Sequence, residues 1–288
     1  MATATEPRIS EPAARPAPGH AGPLRVIRVI WLREVLAYTR DRARLISALI
    51  MPLLMIVIFG EGFGRSVDTF EEGINYRQFI YPGVVAMTVL TSSVFQGITI
   101  IWDREFGFLR EMLVAPISRT AIGIGKLLGG ASIAVVQASL LFLLAPILGV
   151  DLSPFVIVQL WGLMLILALA MSAVGIVIAS KVRTVESFQM ITQMTIMPAM
   201  FLSGIFFPVN NVPLFLEVLA KINPVTYAVA PIRHVALGDQ LTTVSGDDTV
   251  VDVTLFGHVL STPESLAIVI VFGVAMLALA VRSFQPKS

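Results

Sequence analysis

Residues 154–180 read PFVIVQLWGLMLILALAMSAVGIVIAS, an apolar run without a charged side chain. Because a bilayer core about 30 Å thick needs roughly 20 apolar residues per helix, this run predicts a membrane-spanning helix. Five further stretches of the chain meet the same requirement. The six predicted transmembrane helices lie near residues 45–63, 79–101, 127–149, 154–180, 188–207 and 263–281.

The composition of the whole chain also indicates an all-α integral membrane protein surrounded by lipid. Apolar residues make up 56% and charged residues 14% of the chain, and the mean hydropathy is +0.85. Soluble domains carry about 25% charged residues, and this chain cannot supply the polar exterior they need. A net charge of +1, no cysteine and three scattered histidines lead us to expect no nucleic-acid partner and no metal site.

The N-terminal part of the chain changes character at residue 24. Residues 1–23 are rich in Ala and Pro and lack an apolar run, which predicts a disordered cytoplasmic tail preceding a transmembrane domain over 24–288. In residues 24–44, apolar side chains recur at helical spacing among six arginines. We expect an amphipathic helix in the membrane interface, with Trp31 and Tyr38 at headgroup depth. Its apolar positions are Ile27, Ile30, Trp31, Val35 and Tyr38.

The distribution of basic residues predicts the orientation. If the N-terminus is cytoplasmic, the inside segments hold 16 of the 20 Lys and Arg residues, which places both termini in the cytoplasm by the positive-inside rule. Between the fifth and sixth predicted helices, residues 208–238 are apolar but interrupted by Pro213, Asn223, Pro224 and Pro231. This segment predicts short re-entrant or interfacial helices on the outer face.

The predicted spans carry no ionisable side chain at mid-span. We therefore expect no coupling to an ion gradient and no membrane-embedded enzyme. The run Gly-Ile-Gly-Lys-Leu at 123–127 resembles a phosphate loop, but Thr120 and Leu127 replace the required Gly and Ser or Thr. We therefore expect no catalytic residue and no ATPase site on this chain.

An external motor would dock on the longest inside loop, residues 102–126. In a helical conformation this run places Phe106, Leu109 and Leu113 on one face, and Pro116 ends the helix. Such an amphipathic helix suits insertion into a groove on a partner protein. The alternative is a solvated connector lying on the headgroups.

Two stretches of the sequence resemble the type-2 ABC export permeases, the family of daunorubicin-resistance, nodulation-factor and polysaccharide-export membrane subunits. The first lies in the inside loop and the second follows the fifth predicted helix. The matching residues are Arg104-Glu105-Phe106-Gly107, Leu113-Val114-Ala115-Pro116-Ile117-Ser118-Arg119 and Gly125-Lys126, then Ser203-Gly204-Ile205-Phe206-Phe207-Pro208, Asn223-Pro224-Val225-Thr226-Tyr227 and Arg233. The resemblance extends over nearly the whole chain from about Leu24.

The resemblance implies a multi-pass permease of the plasma (inner) membrane of a prokaryote. It also implies two cytosolic ABC ATPase subunits, which would hold ATP and Mg, and a second permease copy, either identical or related. No cofactor would bind this chain directly. The residues expected to transmit force from the ATPase are Glu105, Phe106, Gly107, Leu109 and Arg110.

Residues on two of the predicted helices are candidates for lining a substrate path. Candidate lining residues are Met190, Gln193, Met194 and Met197 on the fifth predicted helix and Thr91 and Gln96 on the second. Methionines adapt to varied apolar ligands, and polar side chains can hydrogen-bond across helices, but ordinary helix packing uses the same residue types.

Our hypothesis is an exporter of a hydrophobic or amphipathic molecule, either a drug-like compound or a lipid, because the motifs are closest to the drug-resistance branch and the spans are uniformly apolar. Export of a lipid-linked glycan or polysaccharide by the same machinery is an alternative. A non-transporting membrane anchor is a more distant one.

Overall fold

The computed structural model describes residues 22–64, 76–107, 118–207, 213–238, 253–255 and 258–283. Residues 1–21 of the predicted tail lie outside this part, and Pro23 is already the first residue of a helix. The helices are α1 (Pro23–Arg40), α2 (Arg42–Gly64), α3 (Tyr76–Phe95), α4 (Ile98–Glu105), α5 (Arg119–Ser139), α6 (Pro154–Lys181), α7 (Val185–Leu202), α8 (Leu214–Ile222), α9 (Thr226–Leu237) and α10 (Thr262–Ser283).

Other regular structure in the described residues is short. Two 3₁₀ turns, Leu140–Leu144 and Pro146–Leu148, follow α5. The strands β1 (Thr254–Leu255) and β2 (His258–Val259) pair antiparallel, with Thr254 opposite Val259 and Leu255 opposite His258. The all-α class is therefore confirmed.

Five helical segments in the described residues are long and apolar enough to cross a membrane. They are Arg42–Gly62, Tyr76–Glu105, Thr120–Leu144, Pro154–Lys181 and Thr262–Ser283. The fifth predicted span, 188–207, forms α7, which ends at Leu202 and is not among them. Glu186, Gln189 and Gln193 make α7 more polar than the others. The prediction of six spans is thus not confirmed.

Two helices extend beyond the spans predicted for them. The helix of the second predicted span is interrupted at Gln96 and Gly97 and then continues to Glu105. At this break a Cβ on Gly97 would lie 2.4 Å from the carbonyl oxygen of Gly175, so only glycine permits the contact with α6. The helix that contains the third predicted span begins at Arg119, and Lys126 is accommodated within it by ion pairs described below.

The core is organised around α3, in which every residue from Phe79 to Leu90 is buried. It packs against α2, α5, α6 and α9, while α6 packs along α10 and α1 lies along α5. In contrast, α2 and α10 are buried over only a small part of their length. Burial of apolar side chains from four neighbours makes α3 the central helix of the described bundle.

The predicted interruption of 208–238 is confirmed in the described residues, with one correction. Two short helices, α8 and α9, meet at a bend at Asn223, Pro224 and Val225, whereas Pro231 lies inside α9. Nearly all of α9 is buried against α3, α6 and α10. Re-entry into the membrane and location on the outer face stay predictions.

Residues of the second resemblance motif connect the bend and α9 to the end of α7 and the turn that follows it. Asn223 donates from Nδ2 to the carbonyl of Ala199 at 2.6 Å, and Arg233 donates to the carbonyl of Gly204 at 2.8 Å. Gly204 has φ +81°, a left-handed conformation that favours glycine. These residues therefore hold the turn after α7 against α9.

Candidate coupling site

The loop proposed for motor docking leaves the bundle at the end of α4. Phe106 caps this helix and Gly107 has φ +81°, so the helix stops there. The expectation that Phe106 shares a continuous helical face with Leu109 and Leu113 is therefore wrong at Phe106. Leu109, Arg110, Leu113 and Pro116 lie outside the described residues. Glu105 is exposed, and Phe106 is 73% exposed.

Four charged side chains meet at the base of this loop, which we call the ion cluster: Arg33 and Glu34 on α1, Asp103 on α4 and Lys126 on α5. Lys126 Nζ lies 2.5 Å from Asp103 Oδ2 and 3.1 Å from Glu34 Oε1. Arg33 Nη2 lies 2.8 Å from each of these two oxygens. Lys126 also donates to Thr99 Oγ1 at 3.2 Å. The cluster joins three helices and holds equal numbers of positive and negative charges.

Burial makes these ion pairs strongly interdependent. The side chain of Lys126 is 2% exposed and those of Glu34 and Asp103 are 9% and 12% exposed. A buried charge without its partner is strongly destabilising, so each member requires the others. Burial lowers the pKa of Arg33, but its hydrogen bonds to Glu34 and Asp103 outweigh this effect, and the pKa is raised.

Arg104, next to Asp103, anchors the same end of α4 in another direction. Its guanidinium donates to the carbonyl of Val182 at 2.7 Å and to that of Ala179 at 3.3 Å. Both carbonyls belong to the C-terminal end of α6, where backbone acceptors lack helical partners. Consecutive residues thus tie the start of the loop to α1 and α5 on one side and to α6 on the other.

Glycines on α5 allow α1 to approach closely enough to form the ion cluster. A Cβ on Gly125 would lie 2.8 Å from Ile30 Cβ, and one on Gly129 would lie 2.7 Å from Glu34 Cβ. The glycine-rich run that resembles a phosphate loop therefore provides a packing surface for α1.

Hydrogen bonds continue the contact between α1 and α5. Trp31 donates to Ser132 Oγ at 3.0 Å, and Tyr38 donates to Gln137 Oε1 at 3.2 Å. A helix is found for the first part of the expected segment 24–44: α1 ends at Arg40, and residues 42–44 belong to α2. The polar groups of Trp31 and Tyr38 bond to α5 rather than being left for lipid headgroups.

Sequence reasoning did not identify the ion cluster, whose four residues all lie outside the predicted spans. A signal was present on α1, where the buried positions Val26, Ile30, Glu34 and Tyr38 are spaced by four residues. A carboxylate in the buried stripe of a helix requires a cation from a neighbouring element. Lys126, within a motif already singled out, is that cation.

The candidate path residues fall on two separate surfaces. Thr91 and Gln96 line a cavity between α1, α2, α3 and α5, and none of its lining residues in the described part belongs to α7. Met190, Gln193, Met194 and Met197 lie on an exposed face of α7. The two sets do not meet within this chain.

Most of the chain, including the residues of the ion cluster, matches a known protein family. The model of the family described as ABC-2 type transporter matches residues 25–237, which include α1, the ion cluster and both resemblance motifs. The chain belongs to the ABC-2 type transporter family. The resemblance drawn from the sequence is thereby confirmed.

Individual members of the ABC-2 type transporter family support this assignment. The transport permease ycf38 of Cyanophora paradoxa is 30% identical over 211 residues, covering 71% of this chain and 72% of the relative. The inner membrane transport permease YadH of Escherichia coli K12 is 26% identical over 218 residues, covering 74% and 83%. Nodulation protein J of Rhizobium leguminosarum bv. viciae is 25% identical over 218 residues, covering 75% and 83%.

Membership of the ABC-2 type transporter family makes this chain a membrane protein related to transport permeases. Permeases of this family normally work with an ATPase partner. The ion cluster and the start of the loop both lie within the matched residues.

Proposed function

We propose that this chain is the membrane-spanning permease subunit of an ATP-driven exporter whose ATPase is a separate cytosolic protein. In this proposal two permease copies, identical or related, work with two ATPase copies in the inner membrane of a prokaryote. Both termini lie in the cytoplasm. The cargo is a hydrophobic or amphipathic molecule, drug-like or lipid. ATP and Mg are bound by the partner.

The observation that carries the proposal is the anchoring of the loop between α4 and α5. Asp103 precedes the loop and Lys126 follows it, and the two side chains are bonded to each other and to Glu34 of α1. A loop whose base is fixed to several helices passes a push from a docked protein to those helices rather than absorbing it. The exposed Glu105 and Phe106 at its start are available for such docking.

This arrangement also argues against a membrane-embedded enzyme. Catalytic acids and bases need to exchange protons with a substrate, and their ionisable groups lie in a cleft. Each carboxylate of the ion cluster is instead occupied by Arg33 and Lys126.

The test is purification of the tagged full chain from its native membrane in a mild detergent, followed by identification of stoichiometric partners. We expect one ABC ATPase per permease. If the protein is intact and well extracted but no such partner co-purifies, the exporter hypothesis is rejected and the membrane-anchor hypothesis remains. Export of a fluorescent amphiphile by vesicles containing the purified complex would then test transport itself.

A further inference from the structure

A cavity of about 230 Å³, lined by both polar and apolar side chains, lies beside the junction of α1 and α2. This junction is also the start of the first candidate membrane span, Arg42–Gly62, so the cavity lies where the apolar part of α2 begins. The polar boundary of a membrane, where lipid head groups reside, is expected at such a point. Its polar lining residues are Tyr38, Arg44, Ser47, Thr91, Gln96 and Gln137.

Arg44 supplies the positive charge of the cavity. Its Nη2 donates to Gln96 Oε1 at 2.6 Å, and its guanidinium carbon lies 5.2 Å from the centre of the Tyr38 ring. Among the described residues, no carboxylate forms an ion pair with this guanidinium. Asp41 is the nearest acid along the chain, and it accepts a hydrogen bond from the backbone N–H of Arg44. Residues 40–44 contain three arginines and this one aspartate.

The other polar side chains of the cavity are already engaged. Gln137 accepts hydrogen bonds from Tyr38 and Ser92 and donates to the carbonyl of Ala48. Thr91 donates to carbonyls of its own helix. Arg44 has five N–H donors, of which the described residues occupy one, so it is the group with spare capacity for an acceptor. Guanidinium groups bind phosphate with two parallel hydrogen bonds.

An apolar surface continues from the cavity along α2. Met51 lines the cavity and is exposed, and Leu54 and Ile58 follow it at helical spacing and are exposed as well. A molecule with a charged end in the cavity would therefore lay its apolar part against these three side chains. The volume of the cavity is below the about 300 to 1,000 Å³ of pockets that enclose drug-sized ligands, which fits a head group and not a whole molecule.

We propose that Arg44 and this cavity bind the phosphate-bearing head group of an anionic amphiphile, whose chain lies along Met51, Leu54 and Ile58. The proposal rests on the exporter function and narrows its cargo to anionic amphiphiles. It also gives Thr91 and Gln96 a place in the path, as walls of the head-group site.

The test measures binding to the purified full chain in a non-ionic detergent by titration calorimetry. The probes are dioctanoyl phosphatidylglycerol, dioctanoyl phosphatidylcholine and glycerol 3-phosphate. We expect the anionic lipid to bind at least about tenfold more tightly than the other two. The choline cation of phosphatidylcholine is repelled by Arg44, and glycerol 3-phosphate lacks the acyl chains that contact Met51, Leu54 and Ile58. Equal binding of both lipids, or equal binding of glycerol 3-phosphate, would overturn the proposal.

Variants connect this binding to Arg44. Arg44→Gln should weaken binding of the anionic lipid about tenfold or more, whereas Arg44→Lys should keep part of it and Arg42→Gln, on the exposed neighbour, should leave it unchanged. If Arg44→Gln does not fold, Ser47→Glu replaces it, because Ser47 is exposed and bonds only to its own helix. A carboxylate there should repel the phosphate. Unchanged binding of the anionic lipid by Arg44→Gln or by Ser47→Glu contradicts the proposal.

The two proposals fail separately. Lipid binding is measured on the permease alone, whereas the exporter function is tested by the ATPase that co-purifies. If an ATPase co-purifies but lipid binding is not selective, the exporter proposal stands and the proposal of an anionic cargo is rejected.

Discussion

Lys126 Nζ lies 2.5 Å from Asp103 Oδ2, so the last turn of α4 is bonded directly to a residue about two turns into α5, on the far side of the loop. Both side chains are buried, and each has a further partner on α1: Lys126 contacts Glu34, and Asp103 contacts Arg33. The loop is therefore closed at its base by an ion pair.

Removing the cation should destabilise the whole bundle. Lys126→Met leaves Asp103 and Glu34 buried with only Arg33, and breaking a buried pair in this way costs about 3–5 kcal/mol. We expect a clearly lower midpoint of thermal unfolding in detergent. Lys181→Met, at an exposed position at the end of α6, is the control and should unfold like the parent. Equal midpoints for both variants would show that the ion cluster contributes nothing to stability.

Loss of the second anchor should have a smaller effect. Arg104→Ala removes two hydrogen bonds to the C-terminal carbonyls of α6, worth about 1–3 kcal/mol for a charged donor. Thermal unfolding should report a decrease smaller than that of Lys126→Met. The control is Arg183→Ala, an exposed arginine next to Val182. An equal decrease in its unfolding midpoint would show that loss of a positive charge, and not loss of the two hydrogen bonds, destabilises Arg104→Ala.

Adding one methyl group to α5 should displace α1. A Cβ at Gly125 would lie 2.8 Å from Ile30 Cβ, and overpacking of this kind costs about 1–3 kcal/mol. In Gly125→Ala we expect faster tryptic cleavage after Arg33, which the ion cluster otherwise holds. Gly162→Ala on α6 has no atom within 4 Å of the new Cβ and should be cleaved at the parental rate. Unchanged cleavage in Gly125→Ala would contradict the close contact.

The turn after α7 should depend on a single amide. Asn223→Ala removes the bond to the carbonyl of Ala199 and the bond from the backbone N–H of Val225, which leaves buried groups unsatisfied at about 1–3 kcal/mol. Thermal unfolding should show this decrease, whereas Gln159→Ala, an exposed amide on α6, should not. Equal unfolding midpoints for Asn223→Ala and Gln159→Ala would show that the Asn223 amide does not stabilise the turn.

Phe106 offers a way to separate coupling from folding. Because its side chain is 73% exposed, Phe106→Asp should unfold at the parental temperature but lose the co-purifying ATPase and export. Phe155→Asp is the matched control, since Phe155 is 71% exposed. It lies at the start of α6, whereas Arg104 and the loop are at the other end of that helix. Normal partner binding and export by Phe106→Asp would remove Phe106 from the coupling surface.

The helix over 154–180 was predictable because nothing in its sequence competes with the apolar run. Ser153 accepts a hydrogen bond from the N–H of Val156, Pro154 occupies the first turn, and the helix ends at Lys181, within one residue of the prediction. Local signals and hydropathy point to the same boundaries there.

The base of the loop could not be located in the same way. Hydropathy treats Lys126 and Asp103 as polar residues that end spans, yet each is buried because the other neutralises it. Glu34 is separated from Lys126 by 92 positions, so no local pattern contains both. In α7 the helix was predicted, but it ends at Leu202 rather than at 207.

The equal numbers of positive and negative charges give the ion cluster no net charge. A membrane potential does electrical work of about 2.3 kcal/mol per elementary charge per 100 mV, but only on net charge that crosses the field. With all four groups ionised, the charges of Arg33, Glu34, Asp103 and Lys126 cancel. A displacement of these four residues as a unit would carry no gating charge, so any effect of voltage on export would come from other charges, such as that of an anionic cargo.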